Sequence, residues 1–303
     1  MPELPEVETV KNALIPHLSG RMVTRVEIFT PKLREPLAPL AAANLEGRRI
    51  TGVGRRGRYL IIGLDDGRKV LIHLGMTGVI RIERAEIPRR KHEHVFFHLD
   101  NGDVFRFECT RRFSVVKVIG ESSPELDALG PEPLEEDFNA AYLFRRSRER
   151  KIPVKLFLMD NAVVTGIGNI YANETLFRCR IHPLHPAGSL KRGDFARLVE
   201  ASVATLREAI EAGGSTIRDF RLVDGSEGHF AQQHQVYQRR GQPCPVCGRA
   251  IGHLMLGGRS TFFCPECQRE PRRGKKTSHP VHEPYQRGCQ NDGTRLSRLR
   301  REQ

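Results

Sequence analysis

Tyr59-Leu60-Ile61-Ile62-Gly63-Leu64, then Asp65-Asp66-Gly67, then Lys69-Val70-Leu71-Ile72-His73-Leu74 reads as strand, tight turn, strand. Branched and large apolar residues fill both runs, and Asp-Gly supplies the backbone freedom that a short reversal needs. The same pattern returns from His94 to Leu99 and from Val104 to Phe107, joined through Asn101-Gly102. Residues 21 to 30 alternate weakly and lead into a proline-rich loop with Pro31, Pro36 and Pro39. Several hairpins in one half of a chain predict a sandwich of antiparallel sheets, with the apolar residues as its core.

Working outward, Leu4, Val7, Val10, Leu14 and Leu18 recur at helical spacing ahead of the strands, and Pro5 suits a first turn. On the other side, Gly130-Pro131-Glu132-Pro133 reads as a linker, after which the period turns helical. Pro153 to Asp160 and Ile170 to Phe177 suit helices. In Phe195 to Ile210 one face stays apolar, with Asp194 as its N-cap and Gly213-Gly214 as its stop. The expected fold class is α+β in several domains: a leading helix and antiparallel β-sandwich over 1–130, a helical domain over 131–235, a β-hairpin finger over 236–268 and a basic tail over 269–303.

The finger rests on Cys244-Pro245-Val246-Cys247 and, sixteen residues later, Cys264-Pro265-Glu266-Cys267. Two doublets at this separation suit one tetrahedral zinc ion held by four thiolates, a structural site because no position stays open to water. His253 is not needed as a ligand, and a redox dithiol pair is the alternative. Gly257-Gly258-Arg259 falls where the hairpin reverses and would present Arg259 at its tip. Seven cysteines used in this way point to a reducing compartment, with the cytoplasm as the expected location.

A net charge of +13 and a pI near 9.8 imply a polyanionic partner. No apolar run approaches the roughly 20 residues of a membrane span, so nucleic acid is favoured over a lipid surface. The basic residues cluster. Arg55, Arg56 and Arg58 form one knot, and Arg145, Arg146, Arg148, Arg150 and Lys151 another. The tail from Arg269 holds ten basic and four acidic residues, a net of +6 that leaves +7 for the rest, so binding is expected to survive without it. Its composition reads as disordered, and Cys289 has no evident partner.

The chain opens Met1-Pro2-Glu3-Leu4-Pro5-Glu6-Val7-Glu8, acidic and broken by prolines where a secretory signal would be basic and then apolar. Removal of Met1 would free the secondary amine of Pro2, a nucleophile that condenses with a sugar aldehyde carbon to give an iminium. The positive end of the helix that follows would lower the pKa of that amine. Glu3 could donate a proton as the bond to the base breaks. The bland alternative is a frayed terminus whose glutamates merely favour the helix dipole. Gly166-Ile167-Gly168-Asn169 before a helix would aim backbone amides at a phosphate. Met76, Phe113 and the arginines at 111 and 112 are ordinary by composition, core and solvated face respectively.

From Pro2 to about Gln268 these features together resemble the formamidopyrimidine-DNA glycosylase family, which includes the endonuclease VIII branch. The resemblance implies a Schiff base on Pro2, proton donation by Glu3 and a supporting carboxylate in Glu6. It implies a helix-two-turns-helix element in which Asn169 holds DNA phosphates, with Lys155 and Arg150 nearby. Arg259 would contact phosphates at the lesion and assist elimination. Met76, Arg111 and Phe113 would fill the gap left by an everted base, and His92, in Lys91-His92-Glu93-His94, would lie near the DNA. The loop from Ser215 to Gln233 would cover an everted 8-oxoguanine.

The expected function is therefore a bifunctional DNA glycosylase and abasic-site lyase of base excision repair, with one zinc ion. It would act as a monomer on double-stranded DNA containing oxidised purines or abasic sites, away from membranes and on the nucleoid in a bacterium. Two departures qualify the resemblance. Arg58 stands where most members have a lysine, and arginine cannot be deprotonated in practice, which predicts weak excision of 8-oxoguanine. Cys109-Thr110 replaces a common Asp-Pro pair and would loosen the loop of Phe113. A damage-binding protein with little turnover is the alternative that Arg58 suggests. An enzyme for oxidised pyrimidines is another, against which Leu4 and Arg111-Arg112-Phe113 argue.

Overall fold

The computed structural model describes residues 1–215 and 230–271. Helix α1 (Leu4–Leu18) is followed by β1 (Val23–Ile28), α2 (Ala38–Ala42), β2 (Ile50–Arg56), β3 (Tyr59–Leu64), β4 (Lys69–His73), β5 (Gly78–Arg84), β6 (Glu93–Leu99), β7 (Asp103–Cys109) and β8 (Val115–Ile119). Helices α3 (Pro124–Asp127), α4 (Ala140–Ser147), α5 (Val154–Leu158), α6 (Asn169–Arg178) and α7 (Arg192–Glu211) come next, and strands β9 (Gly252–Leu256) and β10 (Arg259–Phe263) pair as a hairpin. No described helix is long and apolar enough to cross a membrane.

The first eight strands make two four-stranded antiparallel sheets, ordered β1-β6-β7-β5 and β2-β3-β4-β8. The opening hairpin holds its expected register, with Tyr59 opposite His73 and Leu60 opposite Ile72. Alternate residues of β3, namely Leu60, Ile62 and Leu64, turn inward to meet Val95, Phe97, Phe105 and Phe107 from the other sheet. Each large side chain so buried contributes roughly 2 kcal/mol of transfer free energy. Helix α1 joins this core through Val7, Val10, Leu14 and Leu18, and it also packs on α7. It therefore carries the chain start into the seam between the sheets and the helices. A second core holds α4 to α7, with Phe144 and Phe157 edge-on to Phe195 at 6.3 Å. A third, around Phe177, Val236, Ile251 and Phe262, supports the finger.

Three local expectations change. Asp194 is not the N-cap of α7 but its third residue, and its carboxylate reaches back to accept from the amide of Lys191 at 2.8 Å. One orphan amide of the first turn is satisfied either way. The proline-rich loop contains the short helix α2. Gly130-Pro131-Glu132-Pro133 is a staple more than a linker. Glu132 is buried, accepts from the Gly57 amide at 2.6 Å and pairs with Arg55 at 2.8 Å and Arg56 at 3.2 Å. Arg55 also pairs with Glu8 at 2.7 Å, and Arg56 donates to the Gly130 carbonyl at 2.7 Å. Two arginines of the first knot are consumed inside the protein, which leaves Arg58 for other work.

Candidate active site

Helix α6 organises the site. The first turn of a helix leaves amides without partners and attracts a negative group, and Glu3 supplies one. Its Oε2 accepts from Gly168 at 2.8 Å and Tyr171 at 3.4 Å, and its Oε1 from Ile170 at 3.0 Å. The turn expected to hold a phosphate is thus filled by a carboxylate of the chain itself. Gly168 is required there, because a Cβ would lie 2.3 Å from Glu3 Cδ and 2.7 Å from Arg58 Nη2.

Glu6 lies behind Glu3, buried in the seam. It accepts from the Glu3 amide at 2.7 Å, the Tyr171 hydroxyl at 2.5 Å and the Ser215 amide at 2.8 Å. Burial raises its pKa and Glu3 adds to that, against the pull of the three donors. The α-amine of Met1 is partly buried above them. Burial is also the largest cause lowering its pKa below 8.0, with Arg58 and Arg259 adding and Glu3 and Glu6 opposing. The sequence alone had pointed to the positive end of α1.

Met1, Glu3, Arg58, Asn169, Tyr237 and Arg259 line one cleft of about 450 Å³. Arg58 donates from Nη2 to the Ile167 carbonyl at 2.9 Å, while its buried Nε has no partner among the described residues. Burial lowers its pKa, Arg259 adds and Glu3 opposes. Arg259 opens β10 beside the Gly257-Gly258 turn and is exposed. Asn169 donates to the Ser260 carbonyl at 3.1 Å, and its Oδ1 has no partner among the described residues.

Lys155, the phosphate candidate of this segment, points inward. It is fully buried, donating to the Ser260 carbonyl at 3.1 Å and to Thr261 Oγ1 at 2.7 Å, and burial lowers its pKa to about 8. It anchors the finger to α5. Arg150 is exposed after α4 and does not line the cleft.

Met76 and Phe113, ordinary core residues by composition, are 41 % and 51 % exposed. Their backbones are held tightly. A Cβ on Gly75 would lie 2.7 Å from the Phe113 carbonyl oxygen. Ser114 Oγ donates to the Leu74 carbonyl at 2.7 Å, and the Arg111 amide donates to Thr77 Oγ1 at 3.1 Å. The Arg111 guanidinium sits 5.2 Å from the Phe113 ring centre. Cys109 stands at the base of this loop. It is buried, with its sulfur 2.9 Å from Ser114 Oγ, and its amide donates to the carbonyl of the half-buried His92 at 2.9 Å.

The sulfurs of Cys244, Cys247, Cys264 and Cys267 all lie within 4.8 Å of one another. A tetrahedral zinc ion with Zn–S bonds of about 2.3 Å separates its sulfurs by about 3.8 Å, so the set fits. The amides of Val246 and Cys267 point at Cys244 and Cys264 sulfurs at 3.4 Å, which stabilises thiolates.

The sequence reading missed the buried polar residues of α6. Asn173 accepts from the Phe262 amide at 2.8 Å. Glu174 accepts from the amides of Gln235, Val236 and Tyr237 at 2.8 to 3.0 Å. Their signal was available: Asn173-Glu174 interrupts a segment of α6 that is apolar on all sides. Of the loop expected from Ser215 to Gln233, residues 216–229 lie outside the described residues, as does Cys289.

Residues 1–116 match the family model for the formamidopyrimidine-DNA glycosylase N-terminal domain, 129–221 that for its H2TH domain, and 241–269 that for the zinc finger found in FPG and IleRS. The chain is 49 % identical over 271 residues to the formamidopyrimidine-DNA glycosylase of Stenotrophomonas maltophilia (strain R551-3), spanning 89 % of this chain and all of that protein. It is 47 % identical over 272 residues to the one from Laribacter hongkongensis, with the same coverage. Among solved structures it is similar to MutM (FPG) from Thermus thermophilus, with a TM-score of 0.79 at 40 % identity over 89 % of this chain and all of that one. The Lactococcus lactis Fpg in complex with abasic-site DNA gives 0.80 at 31 % identity over 88 % and 100 %.

Proposed function

This chain belongs to the formamidopyrimidine-DNA glycosylase family, and from that premise we propose how its own residues divide the work. The chain is a DNA glycosylase of base excision repair that removes oxidised purines and cleaves abasic sites, and it carries one structural zinc ion. With Met1 removed, the amine of Pro2 attacks the anomeric carbon of the damaged nucleotide. Glu3 gives its proton to the sugar as the base departs, and the resulting iminium makes elimination of the strand phosphates possible. Burial above Glu3, the environment that lowers the pKa of the Met1 amine, favours an unprotonated amine on Pro2 too. Glu6 fixes the Glu3 backbone. Arg58 and Arg259 hold phosphate charge in the cleft, with Asn169 and Arg150 along the strand. Met76, Arg111 and Phe113 enter the duplex where the base has left, and His92 flanks them.

The sequence-derived limits at about 130, 235 and 268 remain part of this reading, the first supported by separate hydrophobic cores on its two sides. We place the enzyme in the cytoplasm on nucleoid DNA, as a monomer, in keeping with its bacterial relatives. Arg58 restricts the lesion range, leaving ring-opened purines and abasic sites as better substrates than 8-oxoguanine. The observation that carries the proposal is the meeting of the chain-start amine, Glu3, Arg58 and Arg259 in one cleft. Borohydride reduction with an abasic-site duplex tests it. A covalent adduct mapped to Pro2, together with nicked strand, is expected. Tight binding without adduct or nick would leave only a damage-binding protein.

A further inference from the structure

Behind the cleft, two stretches distant in sequence meet. The Phe230 amide donates to the Gly214 carbonyl at 3.0 Å, and Ser215 Oγ lies 3.0 Å from His234 Nε2. His234 is buried, with its ring edge-on to Phe230 and Tyr237 at 5.6 and 5.4 Å. Burial lowers its pKa to about 4, so the imidazole is neutral at working pH and can bond a hydroxyl as donor or acceptor. Leucine would occupy such a place without the cost of burying a polar ring, so the bond to Ser215 is what the imidazole adds.

That bond leads toward the chemistry. The Ser215 amide donates to Glu6 Oε1 at 2.8 Å, and the Tyr171 hydroxyl, 3.4 Å from Ser215 Oγ, donates to the same oxygen at 2.5 Å. Glu6 Oε2 accepts from the Glu3 amide at 2.7 Å. One continuous set of buried hydrogen bonds thus runs from His234 through Ser215 and Glu6 to the backbone of Glu3. The space is tight as well, since a Cβ on Gly214 would lie 3.2 Å from the Glu6 side chain.

We infer that His234 is a positioning residue of the active site: it holds Ser215 over Glu6, Glu6 holds the Glu3 amide, and the chain start is thereby kept in reacting geometry. The inference rests on Pro2 and Glu3 being the reacting groups. It assigns His234 to the rate of the chemical step and not to DNA affinity.

The test uses the full-length enzyme with His234→Leu, His234→Gln and Ser215→Ala. Two quantities are read: single-turnover nicking of an abasic-site duplex, and the Kd for a duplex carrying the uncleavable tetrahydrofuran analogue. His234→Leu should slow nicking about tenfold, the effect of one buried hydrogen bond, and leave Kd within about twofold. Glutamine, whose amide can reach Ser215, should recover most of the rate, and Ser215→Ala combined with His234→Leu should be no slower than either alone. Full-rate nicking by the leucine variant overturns the inference. So does a rate loss that glutamine does not relieve and that follows Kd, which would make His234 packing alone. A missing borohydride adduct in the unaltered enzyme would sink the Pro2 reading and this inference with it, a result distinct from an unchanged rate in the variants.

Discussion

The cleft around Glu3 and the face carrying Met76 and Phe113 are built in opposite ways. In the cleft the side chain proposed to react is fixed: the Glu3 carboxylate accepts from the amides of Gly168, Ile170 and Tyr171, and its own amide is bonded to Glu6. At the other face the backbone is fixed, by Thr77, Ser114 and the close approach of Gly75 to Phe113, while both apolar side chains stay about half exposed. The difference separates chemistry from recognition. A proton donor must be oriented before the substrate arrives, because misplacement is felt in the rate. A wedge gains its burial only when DNA opens, so its side chains remain free and its loops carry the order.

Three substitutions would break or sharpen that contrast, beginning with the strongest. Glu3→Gln puts a donor where one or two amides already donate, and it removes the proton. Single-turnover release of ring-opened guanine from duplex DNA should fall about a thousandfold, and normal release would show that orientation at α6 has no part in the reaction. Arg58→Lys acts in the same cleft but on specificity. Excision of 8-oxoguanine should rise about tenfold, because lysine can exchange a proton, while ring-opened guanine changes little. An unchanged 8-oxoguanine rate would remove Arg58 as the limit on lesion range. Phe113→Ala should be the mildest. Its exposure predicts a change in unfolding free energy within about 0.5 kcal/mol, alongside a several-fold loss of excision from duplex that spares nicking of a single-stranded abasic oligonucleotide. A large loss of stability would mean that Phe113 belongs to the core after all.

Much of this arrangement is legible in the sequence, for reasons that can be named. The hairpin at Tyr59 to His73 is written in two apolar runs around Asp66-Gly67, and neighbours in sequence make its bonds. The four cysteines carry their own geometry in their spacing. Pattern did not reveal the fate of each charge. Arg55, Arg56 and Arg58 look alike in a row, yet Glu132, more than seventy residues away, takes the first two. Lys155 is placed by the resemblance beside Asn169 as a phosphate candidate and is buried against Ser260 and Thr261. Gly166 to Asn169 looks like an anion site, and it is one, but its anion comes from residue 3.

By itself the sequence determined the two large hairpins, the metal set and the unusual chain start, because each is a property of residues close together or of one residue type at fixed spacing. Only the tertiary structure decided which polar groups are spent inside the molecule and which are left for DNA. That outcome depends on long-range partners: Glu3 with α6, Glu132 with the β2–β3 turn, and Ser215 with Glu6 and His234. A buried charge or hydroxyl is stable only when such partners reach it, and nothing local in the chain records where they will be.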